Sequence, residues 1–95
     1  MDPGKSSELL ESLPDWEIRA EAGVLMLYRQ YQFDDFADAL AFTNQVATLA
    51  EAEDHHPRIV TEWGSVQVSW WTHTVRGLHR NDFIMAARCE DRFKR

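Results

Sequence analysis

Between Glu51 and Asp82 the chain gathers three histidines with carboxylates and aromatic rings: Glu51, then His55-His56-Pro57, Trp63, Trp71, Thr72, His73 and Asp82. Histidine has an unperturbed pKa of about 6.5, so it can give or take a proton near neutral pH. Several imidazoles around one cavity would suit a reaction that needs both an acid and a base. Two other readings of the same residues remain open. Three histidines with a carboxylate could hold zinc or iron, although no His-Glu-x-x-His helix is present and adjacent histidines rarely ligate one ion. Alternatively, His55-His56 simply closes a helix, where a basic residue is favourable, and the histidines are solvated.

These residues need elements to position them. Ser6 or Ser7 can cap a short helix over Glu8 to Leu13 that Pro14 stops. Trp16, Ile18 and Ala20 alternate with Glu17 and Arg19 as in a half-buried strand. After a turn at Gly23, the apolar run Val24 to Phe33 suits a second strand. Asp34 or Asp35 then caps the longest helix, Asp35 to Ala52. Phe36, Ala39, Leu40, Thr43, Val46, Ala47 and Ala50 fall on it at helical spacing, predicting one buried stripe.

Pro57 disfavours helix at His56, so the histidine pair sits where the chain leaves that helix. Extended neighbours project oppositely, so the two imidazoles cannot point the same way. Arg58 to Trp63 and Ser65 to Thr74 read as strands joined at Gly64. On the second, Val66, Val68 and Trp70 share one face, while Gln67, Ser69, Trp71 and His73 share the other. The first set predicts the core face and the second the open face. Asp82 can cap a last helix, Phe83 to about Phe93, leaving His79 in a solvated loop and Cys89 as a packed small hydrophobe. The order α-β-β-α-β-β-α predicts an α+β fold: a single four-stranded antiparallel sheet with three helices on one face. Its unpaired edges favour self-association, with a homodimer or homotetramer expected.

Ninety-five residues fit a single domain spanning residues 1–95. Net charge is −6 and the ten basic residues form no stripe, which argues against direct nucleic-acid binding. No apolar run approaches the ~18–20 residues needed to cross a bilayer, and the N-terminal residues lack the apolar core of a signal peptide. The lone cysteine fits a reducing compartment, so a cytoplasmic location is expected.

Beyond residue types, the ordered pattern Glu51, His55-His56-Pro57, Trp63, Thr72-His73 and Asp82 resembles the pterin-4a-carbinolamine dehydratase family. Leu13-Pro14-Asp15-Trp16, Tyr31-Gln32-Phe33-Asp34-Asp35-Phe36 and Phe42 extend the likeness from about Leu10 to Arg92. One departure lies after His73: where relatives often have two glycines and then Leu-Thr, this chain has Arg76-Gly77-Leu78-His79.

The resemblance implies dehydration of 4a-hydroxytetrahydropterin to quinonoid dihydropterin, recycling the pterin of aromatic amino acid hydroxylases. It implies His55, His56 and His73 as catalytic residues, with Glu51 and Asp82 supporting them. Pro57, Trp63, Trp71 and Thr72 would contact the pterin, which is the substrate, and no metal or other cofactor is implied. The expected partners are the pterin, another copy of the chain and, functionally, phenylalanine hydroxylase. Two alternatives also follow from the resemblance: a module that assists dimerisation of a transcription regulator, or a role with another pterin such as a molybdopterin.

Overall fold

The computed structural model describes residues 1–94. Chain order is α1 (Pro3–Leu10), β1 (Glu17–Glu21), β2 (Val24–Gln32), α2 (Phe36–Glu53), β3 (Arg58–Glu62), β4 (Ser65–Trp70) and α3 (Arg80–Phe93). The strands form one antiparallel sheet in the order β1-β2-β4-β3, with the three helices on one face, as the pattern predicts. Ala22 and Gly23 both take positive φ, the two-residue loop whose twist matches paired strands, and Glu21 faces Val24 across it.

The core lies between the sheet and α2 and α3. Val66, Val68 and Trp70 are fully buried on the helix side, confirming the alternation read along β4. Tyr31, Phe42 and Phe93 meet there, with Tyr31 ring centroids 4.5 Å from Phe42 and 4.8 Å from Phe93. This cluster sets the rotation of α2. Its buried residues are Ala39, Phe42, Val46, Leu49 and Ala50, whereas Phe36, Leu40 and Ala47 of the expected stripe face outward. Apolar residues on two faces of α2 made its period ambiguous, and the aromatic partners on β2 and α3 decide it.

Several boundaries also differ from expectation: α1 ends at Leu10 rather than Leu13, and α3 starts at Arg80 rather than Phe83. Helix α1 starts at Pro3 rather than near Glu8, because the Asp2 carboxylate accepts the Gly4 N–H at 3.1 Å and proline suits the first helical position. Strand β4 ends at Trp70 rather than Thr74. Beyond it Thr72 pairs with Gly77, donating its N–H to the Gly77 carbonyl at 2.8 Å, so residues 73–76 form a tight turn. His73 therefore stands on that turn instead of on the sheet. Among the described residues no helix is long and apolar enough to cross a membrane.

Candidate active site

Helix α2 stops because Asp54 turns left-handed, at φ 50° and ψ 44°, a conformation that Asp tolerates better than most residues. The His55 N–H closes the end by bonding the Ala50 carbonyl at 3.1 Å. Pro57 then holds the chain extended, and the two imidazoles diverge as expected. His55 turns inward and His56 outward. Arg58 is in register with Ser69, and continuing that antiparallel register sets His56 opposite Trp71, just before Thr72 and His73.

Asp82 anchors the inward side. Its carboxylate is fully buried and accepts three hydrogen bonds. Oδ1 lies 2.6 Å from His55 Nε2; Oδ2 takes the Thr72 hydroxyl at 2.9 Å and the His79 N–H at 2.8 Å. An ionised carboxylate only accepts, so with Asp82 ionised the bond is donated by His55 Nε2. The His55 ring lies parallel to Trp70, at 3° with centroids 5.6 Å apart, which fixes its plane. One carboxylate thus ties together the end of α2, the exit from β4 and the start of α3.

Asp82 is not the N-cap that its position suggests. His79 caps α3, its Nδ1 accepting the Asn81 N–H at 3.1 Å, and Asp82 completes a capping box from the third helical position. His79 is exposed, as a loop residue would be, but it has this structural task.

On the outward side, His56 Nε2 lies 2.6 Å from Glu51 Oε1, and both residues are exposed. His73 is exposed too, its ring tilted against Trp71 with centroids 4.8 Å apart. Of the three candidate histidines, His55 and His56 have a carboxylate partner, and His73 has none among the described residues. A cavity of about 150 Å³ opens beside His55, lined also by Glu53, Asn81, Met85 and Arg88. Glu53, poorly placed for the helix dipole, is held by an ion pair with Arg88.

Pro57, Trp71 and Thr72 border this corner, with Thr72 serving Asp82. Trp63 does not. It is 73% exposed at the β3–β4 turn, and β3 separates it from His56 by a strand of roughly 17 Å. Among the described residues, no group of three or more His, Cys, Asp or Glu side chains is disposed to hold a metal ion.

Sequence reasoning passed over Glu90. Its Oε1 accepts the Trp16 indole N–H at 2.8 Å and the Tyr31 hydroxyl at 2.9 Å, and pairs with Arg29. Burial alone would raise this carboxyl; the bonds from Arg29, Trp16 and Tyr31 outweigh it and hold the carboxyl below its ordinary range. Burial also pushes the Cys89 thiol up to about 12, so this fully buried cysteine is packing and not a nucleophile.

The family model for pterin 4 alpha carbinolamine dehydratase matches residues 1–92. The chain belongs to the pterin-4a-carbinolamine dehydratase family. A Chlorobium limicola protein named for this dehydratase is 65% identical over 80 residues, covering 84% of this chain and 71% of that protein. One from Hahella chejuensis is 51% identical over 90 residues, covering 95% and 80%.

Among solved structures, a transcriptional coactivator/pterin dehydratase from Brucella melitensis aligns with a TM-score of 0.86 at 29% identity, over 97% of this chain and 96% of that one. A pterin dehydratase-like RuBisCO assembly factor of the alpha-carboxysome shares the fold, with a TM-score of 0.69 at 23% identity over 82% and 88%.

Proposed function

We propose that this protein dehydrates a 4a-hydroxytetrahydropterin to the quinonoid dihydropterin and water. The observation that carries the reading is the His55–Asp82 pair, its carboxylate buried and fixed by Thr72 and the His79 backbone, beside a second His–carboxylate pair at Glu51–His56. The reaction breaks the C4a–OH bond, and hydroxide leaves as water with a proton from an acid. A base removes the proton of the adjacent ring nitrogen, whose electron pair forms the new C=N bond.

His56 donates to the leaving hydroxyl and His73 serves the second proton transfer. His55, fixed by Asp82 and Trp70, binds and orients the pterin, while Trp71 and Pro57 wall the ring. Each proton transfer contributes about 10²–10⁴-fold, and the histidines supply both, so the scheme calls for no metal or organic cofactor.

The protein in this proposal works in the cytoplasm, returning pterin to an aromatic amino acid hydroxylase such as phenylalanine hydroxylase. It does so as a homodimer or homotetramer. Phe36 and Leu40, 46% and 43% exposed on α2, support such an assembly. A second reading, a module for a protein partner, draws on the names of the solved relatives and on the same face. Helix α3 supports it less, because Phe83, Met85, Ala86 and Cys89 are buried and only Ile84 is well exposed among its large apolar residues.

The test is the rate at which 4a-hydroxytetrahydropterin disappears, generated in place by a hydroxylase, with and without this protein. Acceleration supports the enzyme. A folded protein that binds a pterin analogue without accelerating the reaction refutes it and leaves the partner role.

A further inference from the structure

The turn that carries His73 also carries the departure noted in the sequence, Arg76. This residue takes φ 52°, a left-handed conformation that L side chains rarely adopt. Hydrogen bonds hold the turn in place: the His73 carbonyl accepts the Arg76 N–H at 3.2 Å, and the Thr72 carbonyl accepts the Gly77 N–H at 3.4 Å.

Arg76 borders a cavity of about 380 Å³ between α1, the β1–β2 hairpin and this turn. Ile18, Leu25, Leu78 and Pro3 give it apolar walls, and Ser6 adds a hydroxyl. That volume is at the small end of the roughly 300–1,000 Å³ typical of ligand pockets. Leu25, on the cavity wall, is 48% exposed although its neighbours Met26 and Leu27 are buried.

Charge singles out the site. Lys5, Arg19, Arg29, Arg58, Arg88 and Arg92 each pair with a carboxylate. Among the described residues the Arg76 and Arg80 side chains have no hydrogen-bonded or ion-paired partner; of the two only Arg76 lines this cavity, where it is the one charged side chain. Lys94, by contrast, borders a second cleft whose rim holds Asp15, Glu90 and Asp91, where an anion would be repelled. In a chain of net charge −6, an unpaired guanidinium at the edge of an apolar cavity is a selective attraction for an anion.

We propose that this cavity binds a small amphipathic carboxylate. Its apolar body packs on Ile18, Leu25 and Leu78, and its carboxylate meets the planar fork of Arg76, a geometry that guanidinium matches bidentately. The site is separate from the pterin chemistry and does not depend on it. Because His73 and Arg76 stand on one turn, the ligand also grips the segment bearing a candidate catalytic histidine.

The experiment is an amide ¹H–¹⁵N NMR titration of the full chain with 3-phenylpropionate, with 3-phenylpropanol as the uncharged isostere. Saturable shifts are expected at Leu25, His73 and Arg76 to Leu78, with the carboxylate bound at least about tenfold more tightly than the alcohol. Arg76→Gly suits the positive φ and removes only the side chain, so the same spectrum should show an intact fold and the preference should vanish. Leu25→Glu, at an exposed position, should abolish carboxylate binding by placing an acid in the mouth. Any one of four results overturns the proposal: no shifts at millimolar ligand, equal affinity for the alcohol, undiminished carboxylate binding by either folded variant, or shifts centred on Phe36 and Leu40.

Discussion

Asp82 and Glu90 stand eight residues apart on α3, roughly 12 Å along its axis, and each carboxylate receives three donors. Their partners differ in kind. Glu90 accepts from Arg29, Tyr31 and Trp16, donors that stay protonated throughout the physiological range, so its network does one thing: it locks α3 to β2 and to the loop after α1. Asp82 accepts from a hydroxyl, a backbone N–H and an imidazole, and the imidazole is the one partner that also borders a cavity. Similar carboxylates on one helix thus divide into a lock between elements and a holder of one imidazole, according to what was placed opposite them.

The sharpest way to break this comparison is to remove the lock. Glu90→Ala leaves the half-buried Arg29 without its main partner, and a loss of about 3 kcal/mol in urea unfolding is expected, with the dehydration rate per folded molecule preserved. A rate that collapsed along with stability would mean that the two ends of α3 are not separable.

Next in size are the exposed histidines. His56→Ala and His73→Ala should each slow dehydration by at least about tenfold, with unfolding midpoints close to the parent's because both side chains are solvated. Near-normal rates in both would refute the roles given to them.

The smallest effect concerns acid. Glu90 is held below its ordinary pKa of 4.5, so its carboxylate form stabilises the fold above that pH, and the contribution disappears as pH falls through the lower folded value. The stability gap between the parent and Glu90→Gln should therefore be constant at neutral pH and narrow below about pH 4.5. A gap unchanged down to the acid limit of folding would contradict the assigned cause.

Much of this was legible in the sequence where local rules decide. Alternation along Val66, Val68 and Trp70 gave the core face of β4, and Pro57 gave the divergence of His55 and His56. What escaped depended on partners distant in sequence. The inward turn of Phe42 over Leu40 needs Tyr31 and Phe93, and the start of α1 hangs on a single side chain, Asp2. Trp63 fits the family spacing, yet a strand length separates it from the site, because spacing does not say at which end of a hairpin a residue stands. Glu90 looked like any acid on a final helix; only its convergence with residues 16, 29 and 31 reveals it.

The most direct test of the account is the dehydration rate of Asp82→Asn, measured per folded molecule beside Glu90→Gln. The asparagine can still accept from Thr72 and His79, but its amide donates toward His55 and forces the other tautomer. A loss of at least about a hundredfold is predicted for Asp82→Asn, with Glu90→Gln near the parent rate. Parent-level dehydration by folded Asp82→Asn would contradict the claim that this buried pair sets up the chemistry.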